Sequence, residues 1–200
     1  NVDDPASFMH STFWREHPEY RRVPWRSLDW RDRAFDFAHP AVREYHFRLI
    51  EEYASRYDFD GLELDWMRFG FHFRPGAERE GGELLTGFMR QVRALLDTWQ
   101  RKRRHPIGLS ARVPSRPQAA IDLGMDGARW AREGLLTMLV VTPFWETADT
   151  AIPVETWRRL AGDRVLLACG LEVLLRPYNA YRPLRFNTLE TVRGAAATLL

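Results

Sequence analysis

The chain has 200 residues, enough for one sizeable core, and its 45% hydrophobic and 28% charged content is that of an ordinary globular chain. Its 29 basic and 27 acidic residues leave a net charge of +2, too balanced to suggest a nucleic-acid or membrane footprint. The single cysteine, Cys169, excludes an internal disulfide and a multi-cysteine metal centre, and no apolar run approaches the ~18 residues that would suggest a membrane span.

Residues 41–56 place Val42, Tyr45, Leu49, Ile50 and Tyr53 on one helical stripe, with Pro40 at a favourable first-turn position. A strand over 59–66 follows. Residues 83–101 form the clearest helix, with Leu84, Leu85, Phe88, Met89, Val92, Leu95, Leu96 and Trp99 at helical spacing. IGLSAR, 107–112, reads as a short strand. A short helix is expected over 126–133, with Gly134 as its stop. LTMLVVT, 136–142, is β-branched and apolar, hence a buried strand. A helix near 153–161 stops at Gly162, and VLLACGL, 165–171, makes another strand. Asn187 and Glu190 suggest a capping box that opens a last helix.

This alternation predicts an α/β chain with a parallel sheet covered by helices. Helix-to-strand connections are short, whereas the strand-to-helix connections 66–82, 113–124, 143–152 and 172–186 are long. In α/β barrels and in doubly wound sheets alike, functional loops follow the strand C-termini. No GxGxxG or GxxxxGK[ST] phosphate loop is present, which weighs against a nucleotide fold.

Within YDFDGLELDWMRFGFHF, residues 57–73, alternation puts Gly61, Glu63 and Asp65 on one strand face and Leu62, Leu64 and Trp66 on the other. A carboxylate on a buried face needs an arginine, a hydrogen-bond network or a function. Arg68 and Arg112 are natural partners, so a structural carboxylate–arginine ladder competes with a catalytic role. The strand-end sequence Pro143-Phe144-Trp145-Glu146 offers an acid and an aromatic platform, and Glu172 follows the last predicted strand. The aromatic loop around His72 is read either as a lid or as an interface.

The features DGLELDWMRF, FDFAHPAVREYHFRLIEEYASRYD and GARWAREGLLTMLVV, taken in order, resemble the glycosyl-hydrolase-like proteins of the family-10-like group. The resemblance covers most of the chain and implies a (β/α)8 TIM-barrel, incomplete here. In that register NVDD ends strand two, RAFDF lies at strand three, and 59–66, 107–112, 136–142 and 165–172 are strands four to seven. Residues 1–200 would then be a single barrel domain truncated at both ends. The start at Asn1 and the unfinished helical pattern from Thr191 to Leu200 carry the same expectation. Localisation is open on these grounds, with export outside the cell or to the periplasm one reading for a longer protein. The strand is also similar to the family 18 chitinase pattern DxxDxDxE, with Asp60, Glu63 and Asp65 in place. Met67 stands where the chitinase acid would be, and a thioether cannot donate that proton.

The resemblance implies a hydrolase acting on O-glycosyl bonds through paired carboxylates, with a carbohydrate as partner and no cofactor. The candidate catalytic residues are Asp65, Glu172, Glu63 and Glu146. The candidate substrate-binding residues are Asp3, Asp4, His10, Arg68, His72, Arg112 and Trp145. A non-catalytic carbohydrate-binding or scaffold barrel is the competing reading, and a metal-dependent hydrolase using Asp3, Asp4 and His10 is a third. Cys169, inside an apolar strand, is expected to be inert.

Overall fold

A computed structural model describes residues 7–8, 10–26, 28–68, 70–144, 147, 149–176 and 183–199. In chain order it contains α1 (Thr12–Glu16), a 3-10 turn (Pro18–Tyr20), α2 (Trp30–Arg33), α3 (Pro40–Arg56), β1 (Gly61–Asp65) and α4 (Glu78–Arg103). Then follow β2 (Gly108–Pro114), α5 (Pro117–Asp122), α6 (Gly127–Arg132), β3 (Met138–Thr142) and α7 (Val154–Ala161). The chain continues through β4 (Leu166–Cys169), β5 (Leu174–Leu175), β6 (Arg185–Phe186) and α8 (Leu189–Leu199). Two compact units divide the chain. One comprises residues 1–59, 68–105 and 122–124, and the other comprises 60–67, 106–121 and 125–200.

The first unit is helical. In α4, Leu85, Phe88, Met89, Val92 and Leu96 are buried, so the predicted stripe does form the inner face; Leu84 stays exposed. In α3 the helix is where the periodicity puts it, but its inner line runs Val42–His46–Ile50–Ala54, one residue every four. Leu49 and Tyr53 of the expected stripe remain about half exposed. The correction has a simple cause: aromatic partners fix the helix rotation. His46 packs against Phe35 and Phe37, with ring centroids 5.7 Å and 4.8 Å away, while Tyr53 meets Tyr57 at 5.0 Å outside.

RAFDF does not form a strand. Its Phe35 makes one isolated antiparallel bridge to Arg21, and Asp36 turns its carboxylate back onto the Ala38 amide at 2.9 Å. That Asx-type turn ends extension locally. At the basic end of α4, Arg101 and Lys102 are exposed while Arg103 is half-buried. Arg103 donates to the Ala54 carbonyl, lies 3.4 Å from Asp58 and stacks on Trp99 at 4.8 Å. His105 reaches the same Asp58 carboxylate at 2.8 Å, which holds that carboxyl below its usual range.

The second unit carries the sheet. Among the described residues β1-β2-β3-β4 form four parallel strands in sequence order, with β1 and β4 outermost. No closed barrel is formed among these residues. The apolar face belongs to Leu109, Ala111 and Val113 of β2 and Leu139 and Val141 of β3, all buried. Helix α6 lies on it: a Cβ at Gly127 would come 2.7 Å from Leu139 and 3.2 Å from Val113. The Trp157 indole of α7 donates to the Ser115 carbonyl at 2.7 Å, anchoring that helix at the end of β2.

Local stop signals act as expected. Gly134 and Gly162 take φ of +73° and +80°, a conformation that costs glycine nothing. The cap of α8 is shifted by one residue. Thr188 and Thr191, not Asn187 and Glu190, exchange reciprocal side-chain bonds with each other's amides. Asn187 instead donates its side-chain amide to the Glu172 carbonyl. The sequence also contains a pairing that periodicity missed, the short antiparallel ladder β5–β6.

Candidate functional site

Strand register builds the site. Parallel pairing sets Glu63 beside Ser110 and Asp65 beside Arg112, so all four share the sheet face opposite the buried one. That face is open. Glu63 and Asp65 are exposed while Leu62 and Leu64 are half-buried, so the acids do not sit in a buried strand as the sequence suggested. The cause is position. An outermost strand has a neighbour on one side only, and its carboxylates keep their water.

Arg112 is the hub. Its Nε and Nη2 donate to Asp65 Oδ1 and Oδ2, both at 2.8 Å, a bidentate fork. Its Nη1 lies 3.6 Å from Glu172 Oε1. The Asp65 hydrogen bonds, followed by the charges of Asp65, Glu172 and Glu63, outweigh partial burial and hold the guanidinium pKa above its usual value. Asp65 and Glu172 thus approach the same guanidinium from opposite edges. One strand turn deeper, Ser110 Oγ donates to Glu63 Oε2 at 3.0 Å. The Met67 amide donates to Asp65 Oδ1 at 3.0 Å, while the Met67 side chain is fully buried and takes no part in the face.

The C-terminal end of this face has two features that sequence reasoning did not reach. Thr142 is completely buried, and its Oγ1 has no hydrogen-bond partner among the described residues. Gly170 follows β4 at the same level, and a Cβ there would fall 2.1 Å from Thr142 Oγ1. Ser110 was also missed. It occupies the same face as Arg112 two residues on, and that parity was available in IGLSAR. Thr142 and Gly170 gave no such signal, because their meeting depends on the register of β3 and β4.

The remaining candidates fall elsewhere. Asp3, Asp4, Trp145 and Glu146 lie outside the described residues. His10, Arg68 and His72 belong to the other compact unit. There His10 stacks on Trp14 at 3.8 Å and 11°. His72 is buried, edge-on to Phe37 at 5.6 Å, and its carbonyl accepts from the Phe37 amide at 2.7 Å. Arg68 is exposed in the turn after β1. Among the described residues no three His, Cys, Asp or Glu side chains are grouped as a metal site. Cys169 is half-buried, and desolvation raises its thiol pKa.

Fold and site together define an α/β protein with a carboxylate–arginine cluster towards the C-terminal end of a parallel sheet. No protein-family model matches the chain, and no curated protein is significantly similar to it. No helix among the described residues is long and apolar enough to cross a membrane.

Proposed function

We propose that this chain belongs to a glycoside hydrolase that cleaves O-glycosidic bonds with paired carboxylates drawn from Asp65, Glu63 and Glu172. In this reading β1 to β4 are strands four to seven of a (β/α)8 barrel resembling the family-10-like glycosyl-hydrolase-like group. The acidic face is then the barrel interior, and the ligand is an oligo- or polysaccharide. The observation that carries the reading is the shared guanidinium of Arg112, which brings the carboxylates of Asp65 and Glu172 together from two strand ends. Strand C-termini are where α/β folds hold their reacting groups. One carboxyl donates a proton to the leaving oxygen, and another attacks the anomeric carbon or activates water.

The test is a panel of chromogenic glycosides and oligosaccharides. Hydrolysis that falls by about 10²–10⁴-fold in Glu172→Gln supports the reading. Hydrolysis unchanged in that variant removes Glu172 from the chemistry. A second reading, a non-catalytic carbohydrate-binding barrel, is favoured by the bidentate Asp65–Arg112 pair, since ladders of this kind also serve structure alone. Binding without hydrolysis by the unsubstituted chain would select it.

A further inference from the structure

Asp65 already accepts three hydrogen bonds. Its Oδ1 accepts from Arg112 Nε at 2.8 Å and from the Met67 amide at 3.0 Å, and its Oδ2 accepts from Arg112 Nη2 at 2.8 Å. A proton on Oδ1 would displace one of its two donors, and a proton on Oδ2 would remove the negative charge that holds the Arg112 fork. A general acid instead needs an oxygen that can present its proton towards the substrate. Glu63 differs, since the hydrogen bond identified at its carboxylate comes from Ser110 to Oε2.

Arg112 has the complementary property. The fork to Asp65 uses Nε and Nη2 and fixes the plane of the guanidinium. The Nη1 edge faces Glu172 Oε1 at 3.6 Å, too far for a hydrogen bond. An oxygen seated beside this pair accepts from Nη1 and donates to Oε1 once the two side chains draw apart by about 1 Å, which both can do at a partly open surface. A hydroxyl does both; a carboxylate, sulfate or phosphate oxygen has no proton to give. Both side chains are reachable, at 21% and 17% exposure. Three carboxylates, Glu63, Asp65 and Glu172, surround this one guanidinium. The sheet face is therefore net negative and disfavours an anionic ligand.

We infer that Asp65 is a positioning residue, which fixes Arg112 so that Nη1 and Glu172 together bind one hydroxyl of a neutral sugar. This rests on the reading of the cluster as a carbohydrate site, and it leaves proton transfer to Glu63 and Glu172.

The experiment combines calorimetric titration with hydrolysis kinetics, using cellotriose, chitotriose and trigalacturonate as probes. The unsubstituted chain is compared with Asp65→Asn and Arg112→Lys, with thermal unfolding run on each. The expected result is binding of at least one neutral trisaccharide, with trigalacturonate at least tenfold weaker. In both variants binding weakens at least tenfold, KM rises in parallel, and both limbs of the kcat–pH profile stay in place. A merely structural role would lower the unfolding midpoint without changing the affinity of the folded fraction. The inference is overturned if no neutral trisaccharide binds, if trigalacturonate binds as well as the neutral probes, or if both variants bind like the parent. It is overturned equally if Asp65→Asn removes a limb of the kcat–pH profile at unchanged KM. Arg112→Lys decides the matter if Asp65→Asn does not fold, because it keeps the charge and loses the fork. Neutral-sugar binding without hydrolysis sinks the hydrolase reading alone; hydrolysis with an Asp65-dependent limb sinks this inference alone.

Discussion

Arg112 holds both carboxylate oxygens of Asp65 at 2.8 Å across two adjacent parallel strands. The residues are 47 positions apart in sequence and are paired by register. Both side chains are partly open to water, with Asp65 38% exposed, so solvent screens the pair. Its contribution to stability is at most about 1 kcal/mol. Arg112→Ala is therefore expected to leave the urea midpoint nearly unchanged while weakening neutral-sugar binding at least tenfold. A loss of several kcal/mol in equilibrium unfolding would show the pair to be structural instead.

Two glycines of α4 separate local propensity from packing. Replacing a helical glycine by alanine contributes about 0.5–1 kcal/mol of stability when nothing obstructs it. Gly87 has nothing within 4 Å of a Cβ, so Gly87→Ala is expected to raise stability by that amount. At Gly81 the Cβ would meet the Phe73 ring at 2.5 Å, and Phe73 is fully buried. Overpacking costs about 1–3 kcal/mol, which outweighs the propensity gain. Gly81→Ala is expected to lower stability, and thermal unfolding of the two variants side by side reads the difference in sign.

The buried Trp157 gives a test within the sheet-bearing unit. Its Nε1 donates to the Ser115 carbonyl at 2.7 Å, and both residues are buried. Trp157→Phe keeps most of the apolar area and leaves that carbonyl without this donor. The expected cost is about 1–3 kcal/mol, read from denaturant unfolding. A loss below a few tenths would mean that water or another donor replaces the indole.

His46 predicts a pH dependence. Its Nδ1 lies 2.8 Å from the Val42 carbonyl, which can only accept, so this nitrogen carries the proton of the neutral ring. Burial pushes the imidazole pKa below its ordinary value, against a smaller opposing effect of that hydrogen bond. The unfolded chain therefore takes up the proton first as pH falls. The stabilisation is full above the unfolded value of about 6.5 and declines as pH drops below it towards the folded value. Between pH 7 and 5 the stability of the parent should fall more steeply than that of His46→Gln, measured by urea midpoints. Parallel slopes would exclude His46 as the titrating group.

Much of this was legible from residues alone, for a physical reason. Helix and strand periods are local, so α3, α4 and β1 to β4 fall where apolar spacing puts them. Alternation alone sets Glu63 and Asp65 on one face of β1. Tertiary structure decided what needs distant partners. It rotated α3 so that His46 and Ala54 face inward and Tyr53 does not. It reduced RAFDF to one bridge, because the Asp36 turn competes with extension. Above all it set the register of β1 against β2. A slip of one residue would have put Leu109 or Ala111 beside Glu63, and Arg112 would then face away from Asp65. The two-residue repeat of an extended chain sets on which face a carboxylate stands. Only the pairing of strands dozens of residues apart makes Arg112 its partner, and with it the cluster on which function is proposed.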